Sequence, residues 1–98
     1  MDRLKKIIDY FGQTSQILKL AEESCEVSQA AIKLASKHGN KFEQLDKLIE
    51  ELADQEMMTD QAKIIYGAPS LRFAERIAEM KEKKIQRTLR RIEEKVYE

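Results

Sequence analysis

The chain has 98 residues, 37% of them charged, with 18 basic and 18 acidic side chains and no net charge. Three Gly and one Pro are too few for the many turns of an all-β fold. No apolar run approaches the roughly 20 residues that span a bilayer, so no membrane partner is expected. Good helix formers dominate, which points to an all-α bundle. The length suits a single domain over residues 1–98, with a core thin enough that packing against further copies helps.

The charges are unevenly spread. Residues 38–67 carry seven acids against three lysines, and residues 68–98 carry nine bases against six acids. The basic end is interleaved with Glu75, Glu79, Glu82, Glu93 and Glu94, the pattern of a solvated helix rather than of a nucleic-acid surface. Cys25 is the single cysteine and has no intrachain disulfide partner, which suits a reducing compartment. One Cys and one His rule against a structural zinc site within the chain. The start, Met-Asp-Arg-Leu-Lys-Lys, lacks an apolar stretch of signal-peptide length, so a cytoplasmic location is expected.

In chain order, Leu4, Ile7, Ile8 and Phe11 form one helical stripe, so a helix is expected over residues 2–11, ended by Gly12. A second helix is expected over 13–37, with Thr14 or Ser15 as N-cap. It carries one apolar seam of Ile17, Leu20, Val27, Ala31 and Leu34, and a second of Leu18, Ala21, Cys25, Ile32 and Ala35. Two adjacent seams imply a wide buried face, with Cys25 as a small core residue and Glu23 and Glu26 at the edge of the core. Lys37-His38-Gly39-Asn40 closes this helix, with Gly39 as a left-handed cap. A third helix over 41–66 has Leu45, Leu48, Ile49, Leu52, Met57, Ala62 and Ile65 on its apolar side. Gly67, Ala68 and Pro69 break the chain. The last helix, over 70–97 with Ser70 as N-cap, draws on Leu71, Phe73, Ala74, Ile77, Met80, Ile85, Leu89, Ile92 and Val96 for apolar contacts.

Two acid pairs stand out. Glu23 and Glu26 are three residues apart on the second helix, and Glu51 and Asp54 on the third, so each pair shares a helix face. Glu26 lies about as far before the turn at Gly39 as Glu51 lies after it. An antiparallel hairpin therefore brings the four carboxylates to one level. Converging carboxylates beside apolar seams need a cation between them, and oxygen ligands favour a hard divalent one.

Glu22-Glu23-Ser24-Cys25-Glu26, followed after 24 residues by Glu51-Leu52-Ala53-Asp54, resembles the E-E-x-x-E … E-x-x-D signature of MazG-like proteins. These are all-α nucleoside triphosphate pyrophosphohydrolases. The resemblance covers residues 8–66; Lys84 to Ile92 are similar in flavour only. It implies a four-helix MazG-like bundle completed by oligomerisation; a chain this short with a long last helix favours a tetramer over a dimer. It further implies Mg²⁺, with Mn²⁺ able to substitute, held by Glu23, Glu26, Glu51 and Asp54. The reaction implied is hydrolysis of a (deoxy)nucleoside triphosphate at the α-phosphorus to the monophosphate and pyrophosphate, in nucleotide-pool housekeeping. Glu22, Glu23 and Glu26 are the catalytic candidates, Glu22 as an orienting helper or a plain surface residue. Lys84, Arg87 and Arg91 share a face and bind the phosphates or pair with neighbouring acids. Gln16 and Lys19 touch base or sugar, or are surface residues. The competing reading is a non-catalytic helical oligomerisation or interaction module whose acid pairs are structural.

Overall fold

The computed structural model describes residues 2–94, and all its elements there are helical. These are α1 (Arg3–Phe11), α2 (Gln13–Ala35), α3 (Lys41–Ile65), a short 3₁₀ turn (Pro69–Leu71) and α4 (Phe73–Glu93). Four helices were expected from the periodicity, and four are present among the described residues. The expected contacts of Val96 lie outside them. Where the sequence suggests one domain over 1–98, the chain divides after Ile65 into two compact units, residues 1–65 and 66–98. No helix among the described residues is long and apolar enough to cross a membrane.

The first unit is an antiparallel pair, α2 along α3, with α1 packed against both. Asp2 caps α1, its carboxylate accepting the Leu4 amide at 2.7 Å. Gly12 joins α1 to α2 at φ +94°, a conformation that a side chain would strain, and its amide donates to the Ile8 carbonyl at 2.8 Å. Gly12 thus takes the N-cap position expected of Thr14 or Ser15. At the far end α2 stops at Ala35 rather than residue 37, because Ser36 turns extended. Gly39, at φ +89°, sits within the connecting loop instead of capping α2 directly. Asn40 caps α3 by accepting the Phe42 and Glu43 amides at 2.9 and 3.2 Å.

On each helix one series of buried or half-buried residues recurs at alternating spacings of three and four, with the fully buried Gln61 of α3 lying outside it. On α2 the series is Gln16, Leu20, Glu23, Val27, Ala30 and Leu34; on α3 it is Gln44, Leu48, Glu51, Gln55, Met58, Ala62 and Ile65. This is the period of a coiled-coil seam. Glu23 and Glu51 therefore sit inside the seam, not at its edge as the periodicity suggested. A hydrogen bond from Gln55 Nε2 to Ser24 Oγ, at 3.1 Å, ties the register one residue away from Glu23.

The second apolar seam of α2 is not buried. Leu18 is 65% and Ile32 71% exposed, and Ala21, Cys25 and Ala35 are exposed with them. Cys25 is thus a surface thiol rather than a core residue. On α3, Phe42, Leu45, Ile49 and Leu52 repeat the three-four spacing and are also exposed. In an antiparallel pair these stripes rise on the same side of the hairpin, since each is displaced in the same sense from its seam.

In the second unit, Pro69 opens a tight turn in which the Leu71 amide donates to the Ala68 carbonyl at 2.9 Å. The helix begins only at Phe73, with Arg72 rather than Ser70 at its N-cap and at φ +48°. Arg72 Nη2 is held 2.8 Å from Glu79 Oε2. The Tyr66 and Phe73 rings pack 5.3 Å apart. The remaining apolar residues of α4, Ile77, Met80, Ile85, Leu89 and Ile92, are exposed within this unit rather than in contact.

Candidate metal centre

α2 and α3 supply the site. One carboxylate oxygen from each of Glu23, Glu51 and Asp54 lies within 4.8 Å of the others. Glu23 is 5% and Glu51 3% exposed; Asp54 is half-buried. The heptad period forces Glu23 and Glu51 inward, because each occupies a position that packing reserves for an apolar side chain. Their placement costs desolvation that only a cation or hydrogen bonds can offset.

Two lysines offset part of it. Lys19 Nζ lies 3.5 Å from Glu23 Oε1 and 3.6 Å from Glu22, and Lys47 Nζ lies 2.9 Å from Glu51 Oε1. Each lysine precedes its buried partner by four residues, so one helical turn builds both pairs. The second oxygen of each acid, Glu23 Oε2 and Glu51 Oε2, is buried without a hydrogen-bond partner.

Glu26 stands at the open edge. Its carboxyl is pushed up to about 7, first by a hydrogen bond shared with Glu51 and then by repulsion from Glu23 and Glu51. Glu51 shifts downward, held ionised by Lys47 first and by Glu26 second. Lys47 and Lys19 shift upward through Glu51 and through Glu22 with Glu23. Glu26 thus adjoins the three-carboxylate cluster, whose negative charge disfavours ionisation of its own carboxyl.

These residues fit a hard divalent cation. Ligand oxygens at about 2.1 Å from Mg²⁺ stand about 3 Å apart when adjacent and about 4.2 Å when opposite. Oxygens up to 4.8 Å apart close by about 0.6 Å to become opposite ligands and by up to about 1.8 Å to become adjacent ones, and the partnerless Glu23 Oε2 and Glu51 Oε2 are available as donors. The signal for the lysines was present in the sequence as Lys-x-x-x-Glu, repeated at 19–23 and 47–51. Lys47 escaped notice because such spacing is common on helix surfaces.

The other candidates fall as follows. Glu22 is exposed and bound to Lys19. Lys19 is half exposed and engaged by Glu22 and Glu23. Gln16 is 7% exposed, seven residues before Glu23 in the same seam, and so faces α3. Lys84, Arg87 and Arg91 are exposed on α4 and make no ion pair among the described residues. Lys84 and Arg87 line a shallow groove there with Lys83 and Arg90.

Comparison with protein-family models, with curated proteins and with solved structures finds no match to this chain.

Proposed function

We propose that the chain is a Mg²⁺-dependent, MazG-like nucleoside triphosphate pyrophosphohydrolase acting as a homo-oligomer. One observation carries the reading: three carboxylates from two antiparallel helices converge in a packed seam with two of their oxygens buried and unpartnered. A structural role would be served better by leucine at both seam positions, so retention of acids there favours a ligand. When bound, the cation supplies charge neutralisation of the phosphates and activation of water.

The chain's own residues do the rest. Glu23, Glu51 and Asp54 would hold the cation. Glu26 lies at the open edge and takes the proton from water as the oxygen–α-phosphorus bond forms. The bond from the α-phosphorus to the bridging oxygen breaks, and pyrophosphate leaves with the electron pair. A group whose ordinary range has moved toward neutrality is suited to that proton transfer. The exposed stripes of Leu18, Cys25 and Ile32 and of Leu45, Ile49 and Leu52 support covering by a second copy.

The same stripes are what favours the second reading, a helical interaction module without turnover. A thermal-shift series with Mg²⁺, Mn²⁺ and dNTPs separates the two. The hydrolase reading expects the melting temperature to rise with metal and rise further with nucleotide. It also expects pyrophosphate release that Glu26→Gln slows at least a hundredfold. A melting temperature indifferent to both ligands would contradict it.

A further inference from the structure

The triphosphate needs positive charge as well as a cation, and the hairpin carries a candidate that the two acid pairs conceal. A cavity of about 220 Å³ opens directly beside the carboxylates, lined by Glu26, Gln29, Ala30, Lys33, Lys47 and Glu51. Glu51, 3% exposed and with its Oε2 buried without a partner, is among the lining residues. Along α2 the lining runs from Glu26 through Gln29 to Lys33, two turns of one face. Along α3 it runs from Glu51 back to Lys47, one turn away. In the antiparallel pair both runs point the same way, from carboxylate to ammonium, toward the loop at residues 36–40. Lys47 Nζ stands 2.9 Å from Glu51 Oε1 at the near end, and Lys33, seven residues beyond Glu26, lies about 10 Å further along the α2 axis. The cavity is smaller than the roughly 300–1,000 Å³ of sites that enclose a drug-sized ligand, so it takes a phosphate-sized group rather than a whole nucleotide.

We propose that Lys33, Lys47 and Gln29 form the subsite for the pyrophosphate half of the substrate, on the hairpin itself. The inference rests on the hydrolase reading, because an anion enters beside three carboxylates only when a divalent cation matches their charge. Lys33 is exposed and makes no ion pair among the described residues, so its ammonium is free for a phosphate oxygen. Lys47 is bound to Glu51 Oε1; a cation on the same carboxylate would weaken that pair and release the ammonium to the anion. Lys47 is thus a cation surrogate in one state and a phosphate ligand in the other. The subsite also fixes direction: the leaving pyrophosphate points to the 36–40 loop, and the nucleoside points to the opposite end of the hairpin.

The test is calorimetric titration of the full chain, first with Mn²⁺ and then, at saturating Mn²⁺, with inorganic pyrophosphate. Lys33→Ala is expected to leave the Mn²⁺ dissociation constant within about twofold and to weaken pyrophosphate about tenfold, with Lys33→Arg restoring most of the loss. Lys47→Ala is expected to tighten Mn²⁺, because the competing ammonium is gone, and to weaken pyrophosphate. Circular dichroism confirms that each variant is folded. Equal pyrophosphate binding by wild type and both alanine variants, or loss confined to a Lys84→Ala/Arg87→Ala control, overturns the subsite while leaving the metal centre intact. Failure of wild type to bind Mn²⁺ overturns the hydrolase reading and the subsite with it.

Discussion

Glu23 and Glu51 meet across the α2–α3 seam, each with one oxygen held by a lysine one turn earlier and the other buried without a partner. The two helices thereby present the same device twice in opposite directions. The device loads negative charge into the seam of a helix pair and keeps it half neutralised. It stabilises the fold poorly in the free state and supplies ready ligands for a cation.

The first consequence is a gain in stability when the device is removed. Glu23→Leu restores an apolar seam position and frees Lys19 to solvent, where its pairing is worth little. We expect the metal-free variant to be about 1–2 kcal/mol more stable, raising the melting temperature by several degrees, and to lose its response to Mn²⁺. Scanning calorimetry with and without Mn²⁺ reads both. A less stable variant would mean that Glu23 is already well satisfied.

Acidity supplies the second. Glu26 sits at about 7 in the fold against 4.5 ordinarily, so the folded state binds its proton more tightly than the unfolded chain does. Its stabilising contribution is full below about pH 4.5 and is lost as pH rises to about 7. Glu51 has the opposite sign: its lowered carboxyl favours the fold above its ordinary range and loses that as the solution is acidified. Between pH 5 and 8 the Glu26 effect governs this site. The metal-free melting temperature is expected to carry a falling component there, absent from Glu26→Gln. Mn²⁺ affinity is expected to rise over the same interval, since binding expels the proton. Identical pH profiles for wild type and Glu26→Gln would refute the raised Glu26 carboxyl.

The exposed stripes give the third. Ile32 and Ile49 are 71% and 57% exposed on the same side of the hairpin. A monomer of 11.4 kDa with such a face is expected to self-associate, and sedimentation at micromolar concentration should show at least a dimer. The double change Ile32→Glu and Ile49→Glu should return the monomer. An unaltered sedimentation coefficient would place the interface elsewhere.

Gly12 provides the fourth. At φ +94° with nothing within 4 Å of an added Cβ, Gly12→Ala meets backbone strain alone. We expect a loss of about 1 kcal/mol, measured by urea denaturation, with metal affinity unchanged. A neutral substitution would show that the α1–α2 junction relaxes freely.

Much of this was legible in the residues. Periodicity located four helices to within a few positions, and the matched distances of Glu26 and Glu51 from Gly39 foretold the level at which the acids meet. Two things were less legible. The apolar residues of α2 span too much of the helix to tell which seam meets α3. The three-four alternation that decides it includes Gln16, Glu23, Gln44, Glu51 and Gln55, which a search for hydrophobic residues passes over. The start of α4 was masked in the same way: Ser70 has the chemistry of a cap, but Pro69 opens a 3₁₀ turn that carries the chain two residues further.

The most direct measurement is hydrolysis of each common NTP and dNTP with Mg²⁺ in ¹⁸O-labelled water, resolving the products by mass. The account expects at least one substrate to yield a nucleoside monophosphate carrying the label and unlabelled pyrophosphate, with Glu51→Gln inactive. Label in inorganic phosphate or pyrophosphate, equal turnover by the variant, or no turnover of any nucleotide would contradict it.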